Sequence, residues 1–147
     1  MTTVAEILRK KAENQVYTVS PDASVVEALR MMADKDIGGV LVTQDSAVIG
    51  IFTERDYARK IVLMERSSQQ TAVREVMSSP VKYVRLHQTA DDCMRLMTES
   101  RVRHLPVIEN EKLLGVISIG DLVKNIISEQ KFIIEQLEHY ITGDHGG

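Results

Sequence analysis

Two four-residue stretches carry the same pair of oxygen-bearing side chains, Thr53-Glu54-Arg55-Asp56 and Ser118-Ile119-Gly120-Asp121. A hydroxyl followed three residues later by a carboxylate suits the start of a helix. There the hydroxyl and the first backbone amides can hold a phosphate oxygen, and a carboxylate on the first turn is a fixed acceptor for the paired hydroxyls of a ribose. The same spacing is also the capping box, in which the two side chains satisfy orphan amides and touch no ligand. One copy alone would favour the cap. Two copies, following Gly50-Ile51-Phe52 and Gly115-Val116-Ile117, favour a ligand site, which a cap can still serve.

The other reactive side chains do not assemble into a catalytic set. Cys93 falls on an apolar helix face, where a buried structural thiol is expected. His87, His139 and His145 have no consistent metal-ligand spacing. Neither a nucleophile with its base nor a metal centre is expected.

The elements that must hold the two pairs belong to an internal repeat. Residues 16–61 align on 81–126 without a gap, each pair differing by 65 in number; examples are Val19/Val84, Met32/Met97, Val42/Val107, Gly50/Gly115, Asp56/Asp121 and Ile61/Ile126. In the first copy, β-prone Val16-Tyr17-Thr18-Val19 stops at Ser20-Pro21, where proline removes an amide donor. Asp22 or Ser24 caps a helix whose apolar stripe is Val25, Ala28, Leu29 and Met32, and Gly38-Gly39 marks the break after it. Val40-Leu41-Val42 and Val48-Ile49-Gly50-Ile51-Phe52 are too short for helices and form a hairpin about Gln44-Asp45-Ser46. Thr53 then caps a helix bearing Tyr57, Ile61 and Met64. The second copy repeats this order.

Val4-Ala5-Glu6-Ile7-Leu8 and Val73-Arg74-Glu75-Val76-Met77 read as a leading helix for each copy, and the polar stretch 65–70 separates the copies. The expected organisation is a first repeat with its leading helix at 1–66, a second repeat at 71–128, and a helical extension with a tail at 129–147. In that extension Leu122, Ile126, Ile127, Ile133, Ile134, Leu137 and Ile141 continue an amphipathic pattern until Gly143, packing on their own domain or on a second copy of the chain.

Composition narrows the function classes. The 147 residues are 44% hydrophobic and 27% charged, as in ordinary soluble domains, and only 4% aromatic, so the core must be built of Val, Ile, Leu and Met. A net charge of -3 gives no basic field for a polyanion, and the cations are not interleaved with aromatics, so nucleic acid is not the expected partner. No apolar run approaches a membrane span and no targeting presequence is recognised. With Cys93 the only cysteine, a reducing cytoplasm is the expected compartment.

The two seven-residue stretches Gly50-Ile51-Phe52-Thr53-Glu54-Arg55-Asp56 and Gly115-Val116-Ile117-Ser118-Ile119-Gly120-Asp121 resemble the nucleotide-contact signature of CBS (cystathionine β-synthase) domains. The stretches 51–57, 101–107 and 116–121 look like bacterial and plant signal-transduction proteins consisting of one CBS pair alone. The resemblance covers nearly the whole chain. It implies an α+β fold in which two β-α-β-β-α repeats pack sheet to sheet about a pseudo-twofold axis. It also implies clefts for AMP, ADP, ATP, NAD or related adenosyl ligands, and a non-enzymatic sensor of energy or redox state that assembles as a homodimer. The alternative is a regulator of a protein partner, such as thioredoxin, without an obligatory small ligand.

The resemblance also carries residue roles. Thr53, Asp56, Ser118 and Asp121 would contact ribose and phosphate. Arg103 and His104 would supply cations to phosphates; Gly38 and Gly39 stand at the matching positions without side chains, leaving Arg55 as the compensating cation. Val19-Ser20 and Val84-Arg85 match the strand end against which adenine sits. Val19 and Ser20 would face Arg103, His104, Ser118 and Asp121, and Arg85 would approach Thr53 and Asp56. The two sites are expected to be unequal, the one using Asp121 holding phosphates better.

Overall fold

A computed structural model describes residues 1–11 and 16–141. Gly143 and His145 lie outside the described residues. The elements in chain order are α1 (Val4–Lys10), β1 (Thr18–Val19), α2 (Val25–Lys35), β2 (Gly39–Gln44), β3 (Ala47–Thr53), α3 (Glu54–Asp56), α4 (Val73–Val76), α5 (Ala90–Ser100), β4 (His104–Glu109), β5 (Lys112–Ser118) and α6 (Ile119–Ile141). Helix α3 runs on into a wide π turn over Tyr57–Val62. The fold is mixed α+β, with a three-stranded sheet in the order β1-β2-β3 and a two-stranded sheet β4-β5.

The repeat is visible in the local chemistry. Ser24 caps α2 and Thr89 caps α5, each hydroxyl accepting the amide three residues on. Gly38 and Gly39 lie beyond the end of α2 and do not close it. Helices α2 and α5 both end on a left-handed residue, Asp36 and Arg101 at φ 54, after which the Ile37 and Val102 amides reach back to the Met32 and Met97 carbonyls at 3.0 and 3.1 Å. This is the Schellman closure, and Ile37 and Val102 pack on the cores beside it, which offsets the cost of a left-handed residue that is not glycine. The hairpins turn on Asp45-Ser46 and Asn110-Glu111, all at positive φ, the geometry that matches the twist of the flanking strands.

Within the first sheet, Gly39 lies opposite Thr53 across β2 and β3, and β1 runs parallel to β2 with Val19 opposite Val42. The first strand expected in the second copy contracts to one parallel bridge, Val84 to Val107.

Packing does not follow chain order. One compact unit holds the described residues within Met1–Asn14, Val84–Val107 and Gly115–Gly147; the other holds those within Gln15–Tyr83 and Ile108–Leu114. Helix α1, read as leading the first repeat, therefore packs in the unit of the second, with Val4 and Ile7 in one core with Cys93, Leu105, Ile117 and Leu122. Helix α4 packs in the unit of the first repeat, its Val73 and Val76 joining Val25, Met32, Val42, Phe52 and Ile61. The repeated glycines are the seats for these helices. A Cβ on Gly50 would lie 2.5 Å from Met77 Sδ and 3.2 Å from the Ser78 carbonyl, and one on Gly115 would lie 2.9 Å from Leu8 Cδ2. A side chain at either position would displace the Met77 or Leu8 side chain, and at Gly50 would also crowd the Ser78 carbonyl.

Cys93 is fully buried in the first of these cores. Burial, with the nearby Asp92 charge adding to it, pushes its thiol up to about 11. Thiolate is therefore scarce at neutral pH, and alkylation of the native protein should be slow. Cys93→Ser should cost about 1 to 3 kcal/mol in urea denaturation, because it places a hydroxyl among aliphatic groups. Rapid native alkylation would contradict this.

Candidate functional site

In the unit of the first repeat, the hairpin delivers Thr53 to the start of α3. Its Oγ1 accepts the Asp56 amide at 3.2 Å, and Asp56 Oδ2 accepts the Thr53 amide at 3.0 Å and the Thr53 hydroxyl at 3.1 Å. The other oxygen, Oδ1, accepts the Ser78 hydroxyl at 2.7 Å and pairs with Lys60 at 3.1 Å. Asp56 is only 5% exposed. Lys60 also donates to the Val76 carbonyl at 2.9 Å, at the C-terminal end of α4, where a cation is favoured. Both Asp56 oxygens are thus occupied by the chain's own donors, and a ribose hydroxyl could reach them only by displacing Ser78 or Lys60.

Around this box the Gly38 carbonyl accepts the Glu54 amide at 3.0 Å. A Cβ on Gly39 would come within 3.2 Å of Thr53 Cγ2, so that position is tight, whereas Gly38 is open and Arg55 is exposed. Gly38, Gly39, Thr53, Arg55 and Asp56 are therefore brought together. Val19 and Ser20, expected beside the other repeat's box, do not belong to this one. The parallel register sets Val19 three residues along β2 from Gly39, about 10 Å at the rise of a strand. Val19 is buried, while Ser20 is exposed and accepts the Asp22 amide at 3.2 Å.

The unit of the second repeat builds the same box with a different counterion. Ser118 Oγ accepts the Asp121 amide at 3.1 Å, and Asp121 Oδ2 accepts the Ser118 amide at 2.8 Å and meets Lys11 Nζ at 3.0 Å. Lys11, at the end of α1, also donates to the Val116 carbonyl at 2.7 Å. Partial burial works to raise the Asp121 carboxyl, but the Ser118 amide and the Lys11 ammonium outweigh it and hold the group below its ordinary value. The Ile119 amide donates to the Arg103 carbonyl at 2.9 Å, which fixes Arg103 beside the start of α6 as Gly38 is fixed beside α3. Arg103, His104, Ser118 and Asp121 are thus brought together. Arg85 follows the Val84 bridge to Val107, four residues along the strand from Arg103.

The His104 ring is partly open to solvent. The protein around it, then the Lys11 and Arg103 charges, lower its pKa below the ordinary value against an opposing pull from Asp121. The neutral form of the ring is therefore favoured, and the standing cations of this site are Arg103 and Lys11. Sequence reasoning missed Lys11, Lys60 and Ser78. Lys60 was findable, since it stands four residues after Asp56 on one helix face. Lys11 is 110 residues from Asp121, and no local pattern links them. Among the described residues no group of three or more His, Cys, Asp or Glu could hold a metal ion, and no helix is long and apolar enough to cross a membrane.

A protein-family model described as CBS domain matches residues 3–63 and 73–128. The CBS domain-containing protein CBSX3, mitochondrial, of Arabidopsis thaliana is 32% identical over 152 residues, covering 98% of this chain and 74% of that protein. A solved structure described as a signal-transduction protein with CBS domains from Burkholderia ambifaria is 53% identical and matches with a TM-score of 0.82, covering 88% of this chain and 96% of that one. CBSX2, solved in complex with AMP, matches with a TM-score of 0.74 over 88% of this chain and 99% of that one; at 23% identity the likeness is one of fold.

Proposed function

This chain belongs to the CBS domain family, and from that premise we propose that it is a non-enzymatic regulatory module that binds adenine nucleotides, AMP, ADP, ATP or NAD, and so reports energy or redox state. The observation that carries this reading is the cluster at the start of α6. There a hydroxyl, a carboxylate, Lys11, Arg103 and His104 converge on the first turn of a 23-residue helix. The Ser118 hydroxyl, the helix amides and the Arg103 guanidinium suit phosphate oxygens, and Asp121 suits the ribose. The fold has been solved with AMP in CBSX2.

The two boxes are not equivalent in this reading. The box at α3 has glycines where the box at α6 has Arg103 and His104, and its carboxylate is the more deeply enclosed. Arg103→Ala should weaken AMP about tenfold or more, the effect of one lost charge-assisted contact. Calorimetric titration of both proteins with AMP and NAD tests this. AMP that neither binds nor raises the melting temperature of the wild type would sink the reading and favour a protein-interaction role without a small ligand.

The chain is further proposed to act as a homodimer. Ile119, Val123, Ile127, Ile134 and Leu137 are 38%, 45%, 58%, 54% and 54% exposed and share one face of α6. The expectation that the helix packs on its own domain holds through Leu122 and Asn125, whereas every residue from 127 to 140 is exposed.

A further inference from the structure

The box at α3 is complete without a ligand. A carboxylate offers about four acceptor positions. Asp56 fills them from its own chain, with the Thr53 amide and hydroxyl on Oδ2 and the Ser78 hydroxyl and Lys60 ammonium on Oδ1. Among the described residues no buried polar side-chain atom lacks a partner, so this box holds no orphan group for a ligand to satisfy.

Ser78 reaches Asp56 because the chain leaving α4 is fastened to β3. Met77 fills the seat over Gly50, and Ser78 and Ile51 exchange backbone hydrogen bonds at 3.0 and 2.8 Å. Lys60 spans the same junction, donating to the Val76 carbonyl at 2.9 Å and to the Ser78 hydroxyl at 3.3 Å. The unit of the second repeat has no such fastening. There Leu8 takes the seat over Gly115, and the next residue is Arg9, which carries no hydroxyl and is exposed. Among the described residues no bridge joins Arg9 to β5. Asp121 meets the Ser118 amide and Lys11 through Oδ2, and no hydroxyl is brought to it from another element.

We propose that Ser78 and Lys60 form an autoinhibitory latch that keeps the box at α3 shut, so that the chain offers one open box, the one at α6. The inference rests on the nucleotide reading only for what the open box takes up. A ribose hydroxyl entering at Asp56 would replace one hydrogen bond with another, a near-even exchange, and would also have to free Ser78 from its place beside β3. Entry at Asp121 requires no such exchange. The two aligned carboxylates thus do different work: Asp56 closes a junction, and Asp121 stays available.

Amide hydrogen exchange in the ligand-free chain and calorimetric titration with AMP test this on the wild type, Lys60→Met and Ser78→Ala. Methionine keeps the length of the lysine stem and alanine removes only the hydroxyl. In each variant Asp56 retains both Thr53 donors and one of the other two, so the fold should survive. The Ile51 and Ser78 amides should exchange about tenfold or more faster in each variant, the effect of one lost charge-assisted bond on local opening, while the Cys93 amide in the other unit keeps its rate. The wild type should take up one AMP per chain, and Ser78→Ala a second. Unchanged exchange at Ile51 and Ser78, or equal acceleration at Cys93, would overturn the latch. So would two AMP per wild-type chain, since a shut box takes none, or one AMP in Ser78→Ala despite accelerated exchange, since the fastening would then exclude nothing. Accelerated exchange in a chain that binds no AMP would retain the latch and refute the nucleotide reading.

Discussion

Asp56→Ala should lower the unfolding free energy by about 2 to 4 kcal/mol, and Asp121→Ala by only about 1 kcal/mol, although the repeat aligns the two residues. Asp56 is 5% exposed and ties together the start of α3, the end of α4 and Lys60. Its loss removes a helix cap and leaves the Ser78 hydroxyl without its acceptor. Lys60 is 40% exposed and can turn to water, which keeps the cost below that of stranding a fully buried charge. Asp121 holds one cap and one lysine, and its side chain is 14% exposed. Urea denaturation of both variants decides the matter, and equal losses would refute the asymmetry.

A pH arm separates the two further. Because the Asp121 carboxyl is held below its ordinary value in the folded chain, its contribution is present above that ordinary value and is lost as pH falls through the folded one. Asp121→Asn should therefore flatten the acid limb of the stability profile. A reduced ligand response in Asp56→Ala must be read against its lost stability.

Ile134→Glu should convert a dimer into a monomer. From residue 127 to residue 140 helix α6 has no buried side chain, and an uncovered helix of that length is marginal in water. Its apolar residues recur at helical spacing, so a second copy laid on the stripe would bury them together. Burying one aliphatic side chain contributes about 1.5 to 3 kcal/mol, and in a two-fold interface each substitution acts twice. Sedimentation should show the wild type as a dimer at tens of micromolar and Ile134→Glu as a monomer whose helical circular dichroism signal falls by no more than the uncovered turns of α6. A wild type that remains monomeric, with and without nucleotide, would sink the proposal.

The sequence by itself determined the features whose causes are local or periodic. The offset of 65 between Gly50 and Gly115 and between Asp56 and Asp121 established the tandem repeat. The spacing of Thr53 and Asp56, and of Ser118 and Asp121, placed helix starts that the structure confirms as capping boxes. Apolar runs too short for helices, parted by a polar turn, located the hairpins, because both faces of such strands are covered. The tertiary structure decided what depends on contacts between residues remote in the chain. It placed α1 with the second repeat and α4 with the first, because Gly115 makes a seat for Leu8 and Gly50 one for Met77, and no local pattern encodes which helix fills which seat. It also showed that the two boxes differ, Lys60 neutralising one carboxylate from its own helix and Lys11 the other from a helix 110 residues away. A charge on a surface and a charge that completes a buried carboxylate are the same letter in a sequence; only the folded chain brings the partner near enough for Coulomb attraction to distinguish them.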